Sequence, residues 1–425
     1  MTSKFFCRLA AAIAMIAAFA FPGSTEGPGP DFDRTGVDVP RLVEQARESS
    51  QPKLDGGKAE AGKASVPEDS FERRIVVFKE GTPSGQRASL VQGVGGVVTK
   101  DLRLIDALGV VVPKTRLEAF DARLRALPEV KRVERDFVQN WLRAEEDPPP
   151  SEEQREPWGI GRVNASSAWY VTQGDGIRLA VIDTGIDTGH KDLEVEGGFN
   201  CIEPGKPFKD DHGHGTHVAG TIAAQDNDIG VVGVAPGVSL YGVKVLDQFG
   251  SGDFADVIAG IQWAVENGMD IANMSLGAGY GTQALEDAVK KAAAAGLAII
   301  AAAGNSGGDV GYPAAYPEAI AVAAADSQDK VAWFSSRGPE VDFIAPGVDV
   351  ESTMMGGGYE KKDGTSMASP HVAGLAALAA ASQGLSGPEE IRAALREAAV
   401  KLPNVPAEEQ GEGVIDAGLL VGCRS

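Results

Sequence analysis

The chain has 425 residues, room for one large domain with appendages or about two or three ordinary ones. A net charge of −21 argues strongly against a nucleic-acid binder, which needs a basic face to meet phosphates. Three cysteines are too few for a disulfide framework.

At the start, Lys4 and Arg8 give a positive segment ahead of an apolar run from Leu9 to Ala17, and Ala18-Phe19-Ala20 has the small-x-small spacing of a signal-peptidase site. Residues 1–20 are therefore expected to be a signal peptide and the protein to be secreted, extracellular or periplasmic. No later stretch reaches the roughly 20 apolar residues of a membrane span. Cys7 leaves with the signal; Cys201 and Cys423 stay, either paired or as two free thiols. Residues 21–70 are polar, rich in Gly, Pro, Glu and Lys and without apolar periodicity, which reads as a disordered linker.

From Arg74 the texture changes. Ile75–Phe78 is strand-like, Leu102–Val112 holds two more apolar stretches, Leu117–Leu127 has helical spacing, and Val130–Val138 alternates as a half-buried strand. This predicts a small α+β domain over residues 71–146. The acidic, proline-rich run from Glu145 to Glu153 is an accessible boundary, so a second domain is expected over 147–425.

The second domain alternates strands and helices. Strands are expected at Arg178–Ile182, Leu240–Leu246, Asp270–Met274 and Leu297–Ala302, with helices at Val218–Ala224, Phe254–Val265 and Ala284–Ala295. Such alternation predicts an α/β fold, a mainly parallel sheet with helices on both faces. In that architecture ligands sit beyond the carboxyl ends of strands. Asp183, Ser275 and Asn305 all fall there. A last apolar helix, Val372–Ala381, follows Gly364-Thr365-Ser366, with Pro370 expected in its first turn. Ser366 then lies at a helix N-terminus, where outward N–H groups favour a developing oxyanion, although a lone serine there is ordinarily a cap.

Three constellations compete for the chemistry. In the first, His214 takes the Ser366 proton, Asp183 fixes the other imidazole nitrogen, and the Asn305 amide with the Ser366 N–H receives the oxyanion. In the second, Gly304-Asn305-Ser306-Gly307-Gly308 fits a nucleophile elbow with Asp326 or Asp342 and His371 as partners, but Pro313 and Pro317 follow where a helix is required. In the third, His212, His214 and His217 bind zinc, yet Thr216 stands where an acidic residue is needed, and only His190 and His371 remain as further imidazoles.

Val181-Ile182-Asp183-Thr184-Gly185, His214-Gly215-Thr216-His217-Val218-Ala219-Gly220 and Gly364-Thr365-Ser366-Met367-Ala368-Ser369-Pro370 occur in the order Asp, His, Ser. With Ala302-Ala303-Gly304-Asn305 they make the chain resemble a subtilisin-like serine peptidase, the subtilase family, over nearly all of the second domain. The resemblance implies a serine endopeptidase with Asp183, His214 and Ser366 as triad and Asn305 as oxyanion donor. It implies that Ser275-Leu276-Gly277 pairs with an extended substrate and that this segment, Ala302, Gly304 and Gly311 wall a pocket for bulky side chains. It implies a structural calcium held by Gln154, Asp192, Gln225, Asn227, Ile229 and Val231, a set whose oxygens suit a hard cation; without the ion the same residues are a capped surface loop. Glu340 and Asp342 resemble a weaker ion site of some members. The domain at 71–146 resembles the family's inhibitory pro-domain, a folding aid and intramolecular partner released by cleavage between about Trp141 and Glu153. Protein and peptide substrates follow, with no nucleic acid. The rival reading is a non-catalytic peptide-binding protein on the same scaffold.

Overall fold

The computed structural model describes residues 71–140 and 153–422. The expected signal segment, linker and maturation bond, and Cys423, lie outside the described residues.

The first unit carries β1 (Phe71–Phe78), α1 (Ser84–Gly93), β2 (Val97–Leu102), β3 (Ala107–Pro113), α2 (Leu117–Arg125) and β4 (Val130–Arg135). Its strands form an antiparallel sheet in the order β2-β3-β1-β4. The unbroken apolar run Ile75–Phe78 is a two-sided strand. Val76 and Phe78 face the unit's own core with Val91, Phe120 and Leu124, while Ile75 and Val77 join the core of the large unit with Leu102, Ile105 and Ala107. Successive side chains point to opposite faces, so a strand covered on both sides needs apolar residues at every position.

The single strand expected over 130–138 is two. After β4 the chain turns at Asp136 and Phe137 and leaves the sheet as β5 (Val138–Asn140), which pairs antiparallel with Ser251–Asp253 of the large unit.

The large unit contains β6 (Arg178–Asp183), β7 (Val195–Asn200), α3 (His214–Ala223), β8 (Ser239–Lys244), β9 (Ser251–Asp253), α4 (Phe254–Glu266) and β10 (Ile271–Met274). It continues through α5 (Gln283–Ala294), β11 (Ala298–Ala302), β12 (Ala319–Ala325), β13 (Val341–Pro346), β14 (Val350–Met354), β15 (Gly358–Lys362), α6 (Thr365–Gln383) and α7 (Pro388–Glu397). Seven strands form one parallel sheet in the order β7-β8-β6-β10-β11-β12-β13. Every residue of β10, β11 and β12 is buried, as helices on both faces require. The expected α/β architecture is the one found. Because β6 has later strands on either side, the sheet has its switch point there, and residues at and just past the carboxyl ends of β10 and β11 line one cavity.

The last helix starts earlier than expected: α6 runs from Thr365, and Pro370 lies inside it. A proline in a helix interior leaves the carbonyl four residues back without its N–H partner. That carbonyl belongs to Ser366, and the Ser275 hydroxyl donates to it at 2.7 Å.

The two units meet through polar side chains around the N-termini of α4 and α5. Glu134 accepts from the Ala284 N–H at 3.2 Å, and buried Asp136 accepts from the Ala255 N–H. Carboxylates at those positions satisfy orphan donors and complement the helix dipoles. Arg73 pairs with Asp253 at 3.3 Å and Lys100 with Asp256 at 2.5 Å, and Lys100 also donates to the Cys201 carbonyl.

Candidate active site

Asp183 is the last residue of β6 and is fully buried. Its carboxylate accepts from His214 Nδ1 at 2.8 and 3.0 Å and from the Thr184 N–H at 2.7 Å. A carboxylate only accepts, so Nδ1 carries the proton and Nε2 presents a lone pair. Gly215, next to the histidine, allows this approach. A Cβ there would lie 2.1 Å from the Gly185 carbonyl oxygen and 3.2 Å from Asp183 Oδ1.

His214 is held by a residue that the sequence reading passed over. Asp210 Oδ1 accepts from Thr184 Oγ1 and from the N–H groups of His212 and Gly213, at 2.8–2.9 Å. Its Oδ2 accepts from the N–H and hydroxyl of Thr216 at 2.9 and 2.5 Å. Burial alone raises such a carboxyl, but the Thr216 hydroxyl and these N–H groups outweigh it and hold Asp210 below the usual range. An acidic residue four positions before a helix, here one that starts without a side-chain cap, is a pattern that ordinary surface acids share.

Ser366 is in the first turn of α6. Its hydroxyl donates to the Ser275 carbonyl at 3.1 Å, while the Ser275 hydroxyl donates back to the Ser366 carbonyl. Asn273 and Ser369 extend this buried chain: Asn273 Nδ2 donates to Ser275 Oγ at 2.9 Å, and Ser369 Oγ donates to Asn273 Oδ1 at 2.7 Å. The carboxyl end of β10 is thereby tied to α6. Asn305 is fixed in the same manner, since its Oδ1 accepts both the N–H and the hydroxyl of Thr365, at 2.9 and 2.8 Å. The amide oxygen is committed, and among the described residues Nδ2 has no acceptor.

Ser366 and Asn305 line a cavity of about 320 Å³, together with Leu276, Gly277, Ala302, Gly304 and Gly311. Five of the six expected substrate-binding residues thus share one wall system; Ser275 is fully buried behind it. Gln139 of β5 also lines the cavity. The edge that accepts an added strand in this structure is β9, which the sequence reading did not single out; its short Ser-Gly-Asp sequence carries no strand signal of its own.

The expected calcium residues form one loop system. Asp192 is buried and accepts from Asn227 Nδ2 and the Val231 N–H, both at 2.9 Å, and Gln225 N–H donates to the Asp192 carbonyl at 3.0 Å. Asn227 Oδ1 accepts the Ile229 N–H at 2.8 Å. The Gln154 N–H donates to the Asp228 carbonyl at 3.3 Å, which brings the expected N-terminal ligand to the loop, and Gln154 Oε1 is buried without a partner. Burial raises Asp192 above its ordinary value, against hydrogen bonds from Val231 and Asn227. A desolvated carboxyl and an orphaned amide oxygen in one loop system are oxygen donors of the kind a hard cation takes.

The other candidates do not converge. His217 Nε2 donates to the carbonyls of Val350 and Glu360, both at 3.0 Å, and burial pushes its pKa down to about 3. Among the described residues no three His, Cys, Asp or Glu side chains group as a metal site. Ser306 is exposed, with its hydroxyl against that of Ser336 at 3.1 Å. Asp342 is taken by Arg392 and Arg396 at 3.4 and 3.0 Å. Cys201 is a buried free thiol, raised by desolvation.

Comparison with known proteins gives the family. The profile of the subtilase family matches residues 174–413. Subtilisin E of Bacillus subtilis is 42% identical over 330 residues, covering 75% of this chain and 81% of that protein. The thermostable alkaline protease of Halalkalibacterium halodurans is 45% identical over 292 residues, 68% of this chain and 80% of its own. Alkaline elastase YaB of a Bacillus species is 49% identical over 276 residues, 64% and 72%. The chain belongs to the subtilase family. It is a serine protease.

Proposed function

We propose that the protein is a secreted, calcium-stabilised endopeptidase that hydrolyses peptide bonds through Asp183, His214 and Ser366 and matures by removing its own pro-domain. The observations that carry this are the buried Asp183–His214 pair and the cavity that Ser366 and Asn305 share. Rotation of the Ser366 hydroxyl from the Ser275 carbonyl turns its proton toward His214 Nε2. The oxygen then bonds to the substrate carbonyl carbon, the proton passes to Nε2, and the carbonyl electrons move to an oxyanion held by Asn305 Nδ2 and the Ser366 N–H. Collapse expels the amine with the proton from His214, and water repeats the sequence to release the acid. Asp183 keeps the imidazole in the required tautomer and offsets its charge.

Residues 71–146 act as pro-domain and folding partner. Strand β5 on β9, with Gln139 at the cavity, supports the reading that this segment leads the chain into the cleft as a substrate would. Gln154, Asp192, Gln225, Asn227 and the carbonyls of Ile229 and Val231 would hold calcium, which supplies stability and no step of the reaction. Secretion rests on the sequence of residues 1–20, and among the described residues no helix is long and apolar enough to cross a membrane.

The test is intact mass of wild type and Ser366→Ala expressed side by side. Loss of the first unit in wild type alone establishes self-processing. Equal cleavage of both proteins assigns processing to another protease, and absence of cleavage in either removes the pro-domain reading. A serine-directed phosphonate probe separates the peptidase from a non-catalytic peptide binder: it labels wild type only if Ser366 is an activated nucleophile.

A further inference from the structure

One acidic residue, Asp309, lines the cavity beside Ser366. Among the residues that line it, Asp309 is the only charged side chain; the rest are glycines, hydroxyl and amide residues, Leu276 and two alanines. Asp309 is exposed, and among the described residues its carboxylate has no hydrogen bond or ion pair. The neighbouring cation does not quench it. Arg337 bridges to Asp309 through the backbone, but its guanidinium pairs with Glu409 at 2.9 Å.

Asp309 does not sit on a loose loop. Gly307 N–H donates to the Phe334 carbonyl, Arg337 N–H to the Gly308 carbonyl, and Gly311 N–H to the Ala303 carbonyl, each at 2.8 Å. The segment is pinned on both sides of Asp309. The glycine walls are themselves tight, since a Cβ on Gly311 would lie 3.1 Å from the Ala278 carbonyl oxygen and one on Gly304 2.9 Å from Ser336 Oγ. A long unbranched side chain suits such a slot. Its methylenes lie along Leu276, Ala302 and the glycines, and a terminal cation is carried toward the carboxylate.

We infer that Asp309 is a specificity-determining residue that adds Lys and Arg to the bulky side chains accepted on the carbonyl side of the scissile bond, and disfavours Glu and Asp there. The inference rests on the reading of Ser366 as nucleophile. Concave walls of low dielectric focus the field of one unpaired carboxylate, and salt screens it.

The test compares kcat/KM for tetrapeptide p-nitroanilides ending in Phe, Lys or Glu, using enzyme purified after expression of the full chain. Wild type is expected to cleave the Lys substrate well and the Glu substrate poorly. In Asp309→Asn the Lys-to-Phe ratio falls about 3- to 10-fold, in the range of partly exposed ion pairs, and the Glu-to-Phe ratio rises. In wild type the Lys-to-Phe ratio falls several-fold between about 0.01 and 1 M salt, as the screening length shrinks from roughly 30 to 3 Å. This second arm needs no variant to fold. Turnover of the Phe substrate with ratios unmoved by Asp309→Asn and by salt overturns the role of Asp309 alone. No turnover of any substrate overturns the assignment of Ser366 and this inference with it.

Discussion

At the scale of single residues, the candidate site is held together by hydrogen bonds among its own side chains. Thr365 orients Asn305 by giving its amide oxygen two donors, and its hydroxyl also accepts the Gly304 N–H at 3.0 Å. Asn305→Ala is expected to lower kcat by about 10²–10³, the loss that follows removal of one oxyanion donor from serine proteases. Thr365→Val keeps the donor but frees its orientation. It should reduce kcat by up to about 10²-fold with KM little changed, because misplacement acts on the transition state. Equal kcat in Thr365→Val and wild type would mean that the Thr365 N–H alone is enough to position Asn305. The identities of Asp183, His214, Ser366 and Asn305 were legible in the sequence, since each follows or opens an element with a strong pattern. Asp210 was not, because a carboxylate that collects five donors is indistinguishable from a surface acid until the loop is folded around it.

At the scale of elements, the loop between α3 and β8 and the N-termini of α4 and α5 each carry a prediction. Saturating calcium at about 100 times its Kd adds about 2.7 kcal/mol to folding, which for a domain of this size raises Tm by roughly 5–10 °C. Chelation of the Ser366→Ala protein, which cannot digest itself, should reverse that shift, and Asp192→Asn should abolish it. A Tm indifferent to calcium in Ser366→Ala would leave Gln154 Oε1 and Asp192 as parts of a capped loop. Glu134→Gln removes a charge from the N-terminus of α5 and is expected to weaken the contact between the two units by about 0.3–1 kcal/mol, measured by denaturation of the full chain. Helix and strand positions were readable from periodicity. The early start of α6 was not, because the proline rule assumes that the freed carbonyl has no other donor, and here Ser275 supplies one.

At the scale of the whole molecule, the contact between the units is a proton-linked one. Asp256 faces Lys100 from β2, Asp253 beside it, Arg73 from β1, and Asp136 and Cys201 nearby. Burial and then the Asp253 charge push Asp256 up to about 7 against the pull of Lys100, and burial with Asp253 pushes Asp136 well above its usual range. Both groups bind protons more tightly in the assembled chain than unfolded, so their contribution is full below about pH 4 and is lost as pH rises through about 7. Urea stability of full-length Ser366→Ala should therefore fall between about pH 4 and 7, and fall less in Asp256→Asn. A flat profile across that window would place these carboxyls in contact with water. Residues 71–146 alone would expose Ile75, Val77, Leu102, Ile105 and Ala107, and a unit of this size has little core to spare. Circular dichroism of the isolated segment should show it largely unfolded, with structure returning on addition of the large unit.

The sequence by itself determined the α/β class, the polar residues at strand ends and the order Asp, His, Ser. Each is written in a local pattern: an apolar period, a glycine at a turn, a short motif. Only the tertiary structure decided that β9 is the edge that receives β5, that Ile75–Phe78 is buried on both faces, and that Asp309 lines the pocket beside Ser366. Those facts depend on which surfaces the parallel sheet brings together across long stretches of chain, and no local period carries that information.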